Sequence, residues 1–213
     1  MNVTVPGSGS ITAIRVSPKG GDSGWTVVYA PGAAANVHDP FGKHLGDALA
    51  ARGVTCVRFG FPYMEAGRKA PDRPAVLEAT WRAVIEAVRA DAGKLCVGGR
   101  SMGGRIASMV VADGVKVDAL ALFAYPLHPP GHPEKMRVEH LPSIKPRTLF
   151  VSGTSDAFGS PDELQTAAKK VKRATVHLLD GADHGYAVKK STGRSKQDVW
   201  DEAIAALTRF LKV

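Results

Sequence analysis

Between Leu95 and Ala107 the chain runs from a short apolar segment through Gly99-Arg100-Ser101-Met102-Gly103 directly into a helical pattern. An apolar run of this length, bounded by glycine, reads as a buried strand. The result is G-x-S-x-G held between a strand and a helix, the context that makes this short pattern a nucleophile elbow. The serine of such a turn occupies a strained backbone position, which leaves no room for side chains two positions before and two after it. Gly99 and Gly103 meet that demand. The turn lifts the hydroxyl above the sheet and aims it at the start of the next helix, whose free N–H groups favour negative charge. A glycine-rich turn that merely packs tightly is the competing reading of the pattern taken alone.

The rest of the chain alternates strand-like and helical segments. Ile11 to Val16 alternates in polarity, and Trp25 to Ala30 is a β-branched run that ends in Pro31-Gly32-Ala33. Phe41 to Arg52 reads as a helix stopped by Gly53, and Val54 to Phe59 as the next strand. After a polar, proline-containing loop, Leu77, Trp81, Val84, Ile85 and Val88 share one helical face. Val117 to Tyr125 is nearly all apolar, as expected of a strand covered on both faces. Pro126 to Pro146 is the longest irregular stretch and a candidate partial cover for a site. A strand at Thr148 to Ser152, a helix at Pro161 to Val171, a strand at Thr175 to Leu179 and a closing helix with Trp200, Ile204, Leu207 and Leu211 on one side complete the chain. No linker or internal repeat divides it, so residues 1–213 are expected to form one α/β domain with a mostly parallel sheet and helices on both faces.

Composition narrows the function classes. No apolar run is long enough to span a bilayer. The first residues lack the basic and apolar regions of a secretory signal. Cys56 and Cys96 sit in separate apolar runs without metal-ligand spacing, which points to buried reduced thiols in a cytoplasmic protein. Lysine and arginine exceed aspartate and glutamate by 28 − 20 = +8, and the pI is near 9.6. That charge is scattered. Its concentrations at Lys169 to Arg173 and at Lys189-Lys190 lack interleaved aromatics and read as solvated helix faces, not as a nucleic-acid platform.

In α/β sheets with parallel strands, function collects at the carboxyl ends of the strands. Ser101, Asp156 and His184 each follow a strand, in the chain order Ser…Asp…His of a hydrolase triad. A serine hydroxyl is a poor nucleophile near neutral pH and needs an adjacent base. His184 would take and return the proton, and Asp156 would hold its tautomer and stabilise the imidazolium. The backbone N–H groups of Met102 and Ala33 are placed to bind the developing oxyanion. Asp180 and Asp183 rival Asp156 for the acid role, although Asp183 is too near in sequence to orient His184 easily. His38, His44, His132, His140 and His177 read as surface or half-buried histidines and suggest no metal cluster.

Three further strings, Phe59-Gly60-Phe61-Pro62-Tyr63, Tyr125-Pro126-Leu127-His128-Pro129-Pro130-Gly131 and Gly153-Thr154-Ser155-Asp156-Ala157-Phe158-Gly159, accompany the elbow. With them the chain, from Val27 to Phe210, resembles the small α/β-hydrolases of the testis-expressed protein 30 and non-specific-lethal-complex subunit 3 group, distant relatives of the dienelactone hydrolases. The resemblance implies an α/β-hydrolase fold with little or no cap and Ser101, Asp156 and His184 as the triad. Pro31-Gly32 stands where relatives carry His-Gly in the oxyanion loop. Serine in place of the cysteine nucleophile of the dienelactone hydrolases points toward esters.

The expected activity is cofactor-free hydrolysis of small carboxylic esters or thioesters through an acyl-enzyme, with amide cleavage less favoured. Tyr63, His128 and Arg100 are candidates to line the pocket; a structural ion pair is the preferred reading of Arg100, and loop packing is an equal one for the other two. The expected partner is a small-molecule ester, with neither membrane nor, despite the basic pI, nucleic acid. The alternative from another class is a binding or scaffold module that keeps the fold without catalysis.

Overall fold

Trp25–Ala30 (β3) is buried along its whole length, and the sheet extends from it on both sides. The computed structural model describes the chain from Met1 to Val213. β3 pairs in parallel with Thr55–Phe59 (β4) on one side and Lys94–Arg100 (β5) on the other. Ala119–Phe123 (β6), Arg147–Gly153 (β7) and Ala174–Leu179 (β8) continue the parallel sheet beyond β5. Beyond β4 the direction reverses. Gly9–Val16 (β2) runs antiparallel to β4, and Asn2–Val5 (β1) antiparallel to β2. The order is β1-β2-β4-β3-β5-β6-β7-β8.

Successive strand residues face opposite sides, so β3 sends Val28 and Ala30 into one core and Val27 and Tyr29 into the other. The first core is covered by Pro74–Arg89 (α3), Met102–Ala112 (α4) and Pro161–Ala168 (α5), through Trp81, Ile106 and Leu164 among others. Pro40–Ala50 (α1) and Lys196–Leu211 (α6) cover the second with Phe41, Leu45, Ile204 and Leu207. Asp39 caps α1 by accepting the Gly42 N–H at 2.9 Å, and Ser160 and Ser195 cap α5 and α6 with reciprocal capping boxes. A further short helix, Pro62–Glu65 (α2), follows β4. The expected α/β architecture with helices on both faces is therefore present. No helix is long and apolar enough to cross a membrane.

Several expectations need correction. β1 was not legible in its four residues; it forms because a glycine turn (Gly7 φ 70°, Gly9 φ 79°) folds it onto β2 and buries Val3 and Val5. α5 stops at Ala168, since the chain must turn into β8 and bury Val171, and i→i+3 bonds at Lys170 and Val171 tighten that turn. The basic run Lys169 to Arg173 is thus a turn, not a helix face. Lys189-Lys190 likewise leads into a single 3₁₀ turn, Lys190–Thr192. Cys56 and Cys96 are buried and free. Both pair with Val27 from opposite sides, which puts them roughly 10 Å apart across two strand spacings, beyond disulfide reach.

Candidate active site

β5 delivers Ser101 at φ 51°, ψ −119°, a conformation that residues with a side chain seldom adopt. The turn is tied down on both sides. Ser101 N–H donates to the Phe123 carbonyl at 2.8 Å, and Arg105 N–H donates to the Ser101 carbonyl at 3.0 Å. The flanking glycines are needed because both α4, at Gly103, and the paired strand β5, at Gly99, pass hard against the end of β3. A Cβ on Gly103 would stand 2.5 Å from the Pro31 carbonyl oxygen and closer still to that of Ala30, and one on Gly99 would also strike the Ala30 carbonyl. Trp81 on α3, fully buried, donates its indole N–H to the Gly103 carbonyl at 3.1 Å and holds the elbow from behind.

His184, in the loop after β8, reaches this turn. Its Nε2 lies 2.9 Å from Ser101 Oγ, and its Nδ1 lies 2.9 and 3.0 Å from the two carboxylate oxygens of Asp156, after β7. A carboxylate only accepts, so the proton belongs on Nδ1 and Nε2 is left to accept from the serine hydroxyl. The Asp156 side chain is 1% exposed, and its Oδ1 also accepts the Phe158 N–H at 2.8 Å. Phe158 stacks on the imidazole with ring centroids 4.0 Å apart. The rival carboxylates point elsewhere. Asp183 ties its own loop by accepting the Ala187 N–H at 2.8 Å, and Asp180 is exposed.

A cavity of about 530 Å³ opens over Ser101 and His184, with Gly32, Ala33 and Met102 on its wall. Met102 is the first residue of α4, where a backbone N–H has no acceptor within the helix. The Ala33 N–H also has no acceptor within the protein. Both candidate oxyanion donors are therefore on the cavity wall and free to bind. No group of three or more His, Cys, Asp or Glu side chains is arranged to hold a metal ion.

Residues 23–212 match the family model described as the alpha/beta hydrolase domain. The chain belongs to the alpha/beta hydrolase family. Solved structures agree in fold. An alpha-beta serine hydrolase homologue from Coxiella burnetii superposes with a TM-score of 0.76 at 18% identity, over 97% of this chain and 96% of that one. A serine hydrolase described as lacking a lid, from Xanthomonas campestris, gives 0.74 at 18% identity over 99% and 93%. Est1E from Butyrivibrio proteoclasticus, bound to ferulic acid, gives 0.75 at 13% identity over 98% and 99%.

In this hydrolase only one of the three candidate pocket residues reaches the cavity. Arg100 lines it, donating through Nη2 to the His184 carbonyl at 3.1 Å and lying 5.4 Å from the Tyr186 ring centroid. No carboxylate pairs with it, so it braces the histidine loop without the ion pair favoured from sequence. Tyr63 is buried and donates its hydroxyl to the Ala33 carbonyl at 2.7 Å. His128 is buried between the Pro129 carbonyl at 2.8 Å and Glu163 at 3.4 Å. Neither lines the cavity, because these hydrogen bonds hold the Tyr63 side chain on α2 and the His128 side chain in its loop among buried groups. The hydrolase wall also includes Phe158, Arg105 and Arg137. Phe158 lies two residues beyond Asp156, and Arg105 one helical turn beyond Ser101, so both could have been found from their spacing. Arg137 had no such signal.

Proposed function

We propose that this alpha/beta hydrolase is a serine hydrolase that cleaves small carboxylic esters or thioesters through an acyl-enzyme on Ser101. One observation carries the reading: an unbroken path from Ser101 Oγ through both ring nitrogens of His184 to Asp156, 2.9 Å at each step. Ser101 Oγ attacks the ester carbonyl as His184 Nε2 takes its proton. The carbonyl oxygen becomes an oxyanion within reach of the Met102 and Ala33 N–H groups, each donor supplying about 3 kcal/mol of transition-state stabilisation. The carbon–oxygen (or carbon–sulfur) bond to the leaving group then breaks, and His184 returns the proton to that group. Water repeats the sequence on the acyl-enzyme, releasing the acid and the free serine. Asp156 stays ionised throughout and stabilises the imidazolium.

The ferulic acid bound by the Butyrivibrio protein supports a site of this fold accepting a small carboxylic acid. The three strings beside the elbow support a place near the testis-expressed protein 30 and non-specific-lethal-complex subunit 3 group. One sheet shared by both cores supports a single domain over residues 1–213, and two buried free thiols support a reducing, cytoplasmic setting. A fluorophosphonate probe tests the central claim. It should label the wild type and not Ser101→Ala; a correctly folded wild type that resists labelling refutes the reading.

A further inference from the structure

Arg100, Arg105 and Arg137 line the same cavity as Ser101 and His184. None has a carboxylate partner. Asp39 is the one carboxylate on the cavity wall, and it is already engaged: its Oδ2 accepts from the Tyr29 hydroxyl at 2.7 Å and from the Gly42 N–H at 2.9 Å. Arg100 spends part of its donor fork on the His184 carbonyl. The other two are less committed. Arg105 makes only a weak contact with Met109 Sδ at 3.4 Å, and the Arg137 guanidinium donates to no protein acceptor.

The position of Arg137 is nevertheless well defined. Its N–H donates to the Leu127 carbonyl at 2.7 Å, and its carbonyl accepts the Tyr125 hydroxyl at 2.8 Å. Burial and the neighbouring Arg105 charge hold its pKa below the usual arginine range. Two half-buried like charges side by side oppose folding unless something neutralises them. Forked guanidinium donors match the paired oxygens of a carboxylate or phosphate. Arg105 lies four residues along α4 from Ser101, about 6 Å in rise, so an acyl chain rooted on the serine needs only a few carbons to come within reach of its fork.

We propose that the site selects esters whose short acyl chain ends in an anionic group, a carboxylate or phosphate, which Arg105 and Arg137 bind. The inference rests on the hydrolytic reading for its substrate, but anion binding can be measured without turnover. Hydrolysis of the 4-nitrophenyl hemiester of glutarate is compared with that of 4-nitrophenyl valerate, which has the same chain length and no charge. In the wild type the hemiester should have at least a tenfold higher kcat/KM, and the ratio should fall about tenfold in Arg105→Gln and in Arg137→Gln, the worth of one charge-assisted hydrogen bond. Arg105→Lys, which keeps the charge and loses the fork, should restore part of the ratio. Calorimetry of glutarate binding to Ser101→Ala should show the same loss when either arginine is also replaced by glutamine. A ratio at or below one in the wild type, or one unchanged in both folded arginine variants, overturns the inference. If the wild type hydrolyses neither ester, the hydrolytic reading fails and calorimetry decides alone: glutarate that does not bind, or binds regardless of the arginines, overturns the anion site.

Discussion

Replacing Asp156 with asparagine changes almost no volume and tests the proposed triad at its most buried member. In the wild type Asp156 Oδ1 accepts the Phe158 N–H at 2.8 Å, and both carboxylate oxygens face Nδ1–H of His184. Asparagine has one acceptor oxygen where aspartate has two. The Phe158 N–H holds its oxygen at the Oδ1 position, so the amide NH2 takes the Oδ2 position, the nearer of the two to Nδ1 at 2.9 Å. The imidazole must then accept at Nδ1 and carry its proton on Nε2, where it cannot deprotonate Ser101. Restoring the active tautomer sets two N–H donors against each other at a site whose side chain is 1% exposed, and each unsatisfied buried donor costs about 1–3 kcal/mol. Losing the charge that stabilised the imidazolium adds about 1.5–3 kcal/mol. The middle of that range is near 6 kcal/mol, or about 10⁴ in rate, comparable with the loss seen for the same change in other serine triads. Flipping the amide only moves the donor–donor clash to Phe158.

The assay is kcat/KM on a 4-nitrophenyl ester for wild type and Asp156→Asn, with circular dichroism and a thermal melt to show that both are folded. A folded variant within tenfold of wild type would refute the claim that Asp156 sets the His184 tautomer. The result would then favour orientation by Phe158 stacking and the Arg100 brace alone.

Gly103→Ala forces a methyl against two backbone carbonyls at the end of β3 and should destabilise the fold by about 1–3 kcal/mol, read as a lower urea midpoint. Tyr63→Phe removes the hydrogen bond that holds the Ala33 carbonyl; kcat should drop several-fold with KM little changed, while stability falls by about 1 kcal/mol. Burial pushes the Cys56 and Cys96 thiols up to about 12, against about 8.5 in an unfolded chain. Between those values the unfolded chain binds fewer protons than the folded one, so stability is full below pH 8 and falls as pH rises toward 12. Denaturation midpoints across that range should show the decline, and a thiol reagent should react only as fast as the protein unfolds.

The fold was legible where local pattern and tertiary demand coincide. β3 is uniformly buried and read as a strand from its β-branched run, and α3 presents Leu77, Trp81, Val84, Ile85 and Val88 as its spacing requires. Elements whose existence depends on a partner were not legible. Asn2–Val5 is too short to announce itself and becomes a strand only by pairing with β2. The helix at Pro161 could have run on through Val171 by propensity, but the return to β8 ends it at Ala168.

The same division separates the proposed triad from the wall around it. Ser101, Asp156 and His184 follow β5, β7 and β8, whose parallel pairing through β6 puts their carboxyl ends on one rim. Locating them needed only strand order and the sense of the sheet. Tyr63, His128 and Arg137 lie on connections where one hydrogen bond decides which way a side chain turns. The Tyr63 hydroxyl is drawn to the Ala33 carbonyl and His128 to that of Pro129, so both leave the cavity, while the Tyr125 hydroxyl on the Arg137 carbonyl fixes a segment that keeps Arg137 on the cavity wall. No periodicity encodes those choices. The proposed triad is therefore placed by the strands that carry it, whereas the wall around it draws on both kinds of segment, Arg105 from α4 and Arg137 from the irregular stretch before β7. Substitutions between Pro126 and Pro146 should accordingly change which ester is preferred while leaving the path from Ser101 to Asp156 intact.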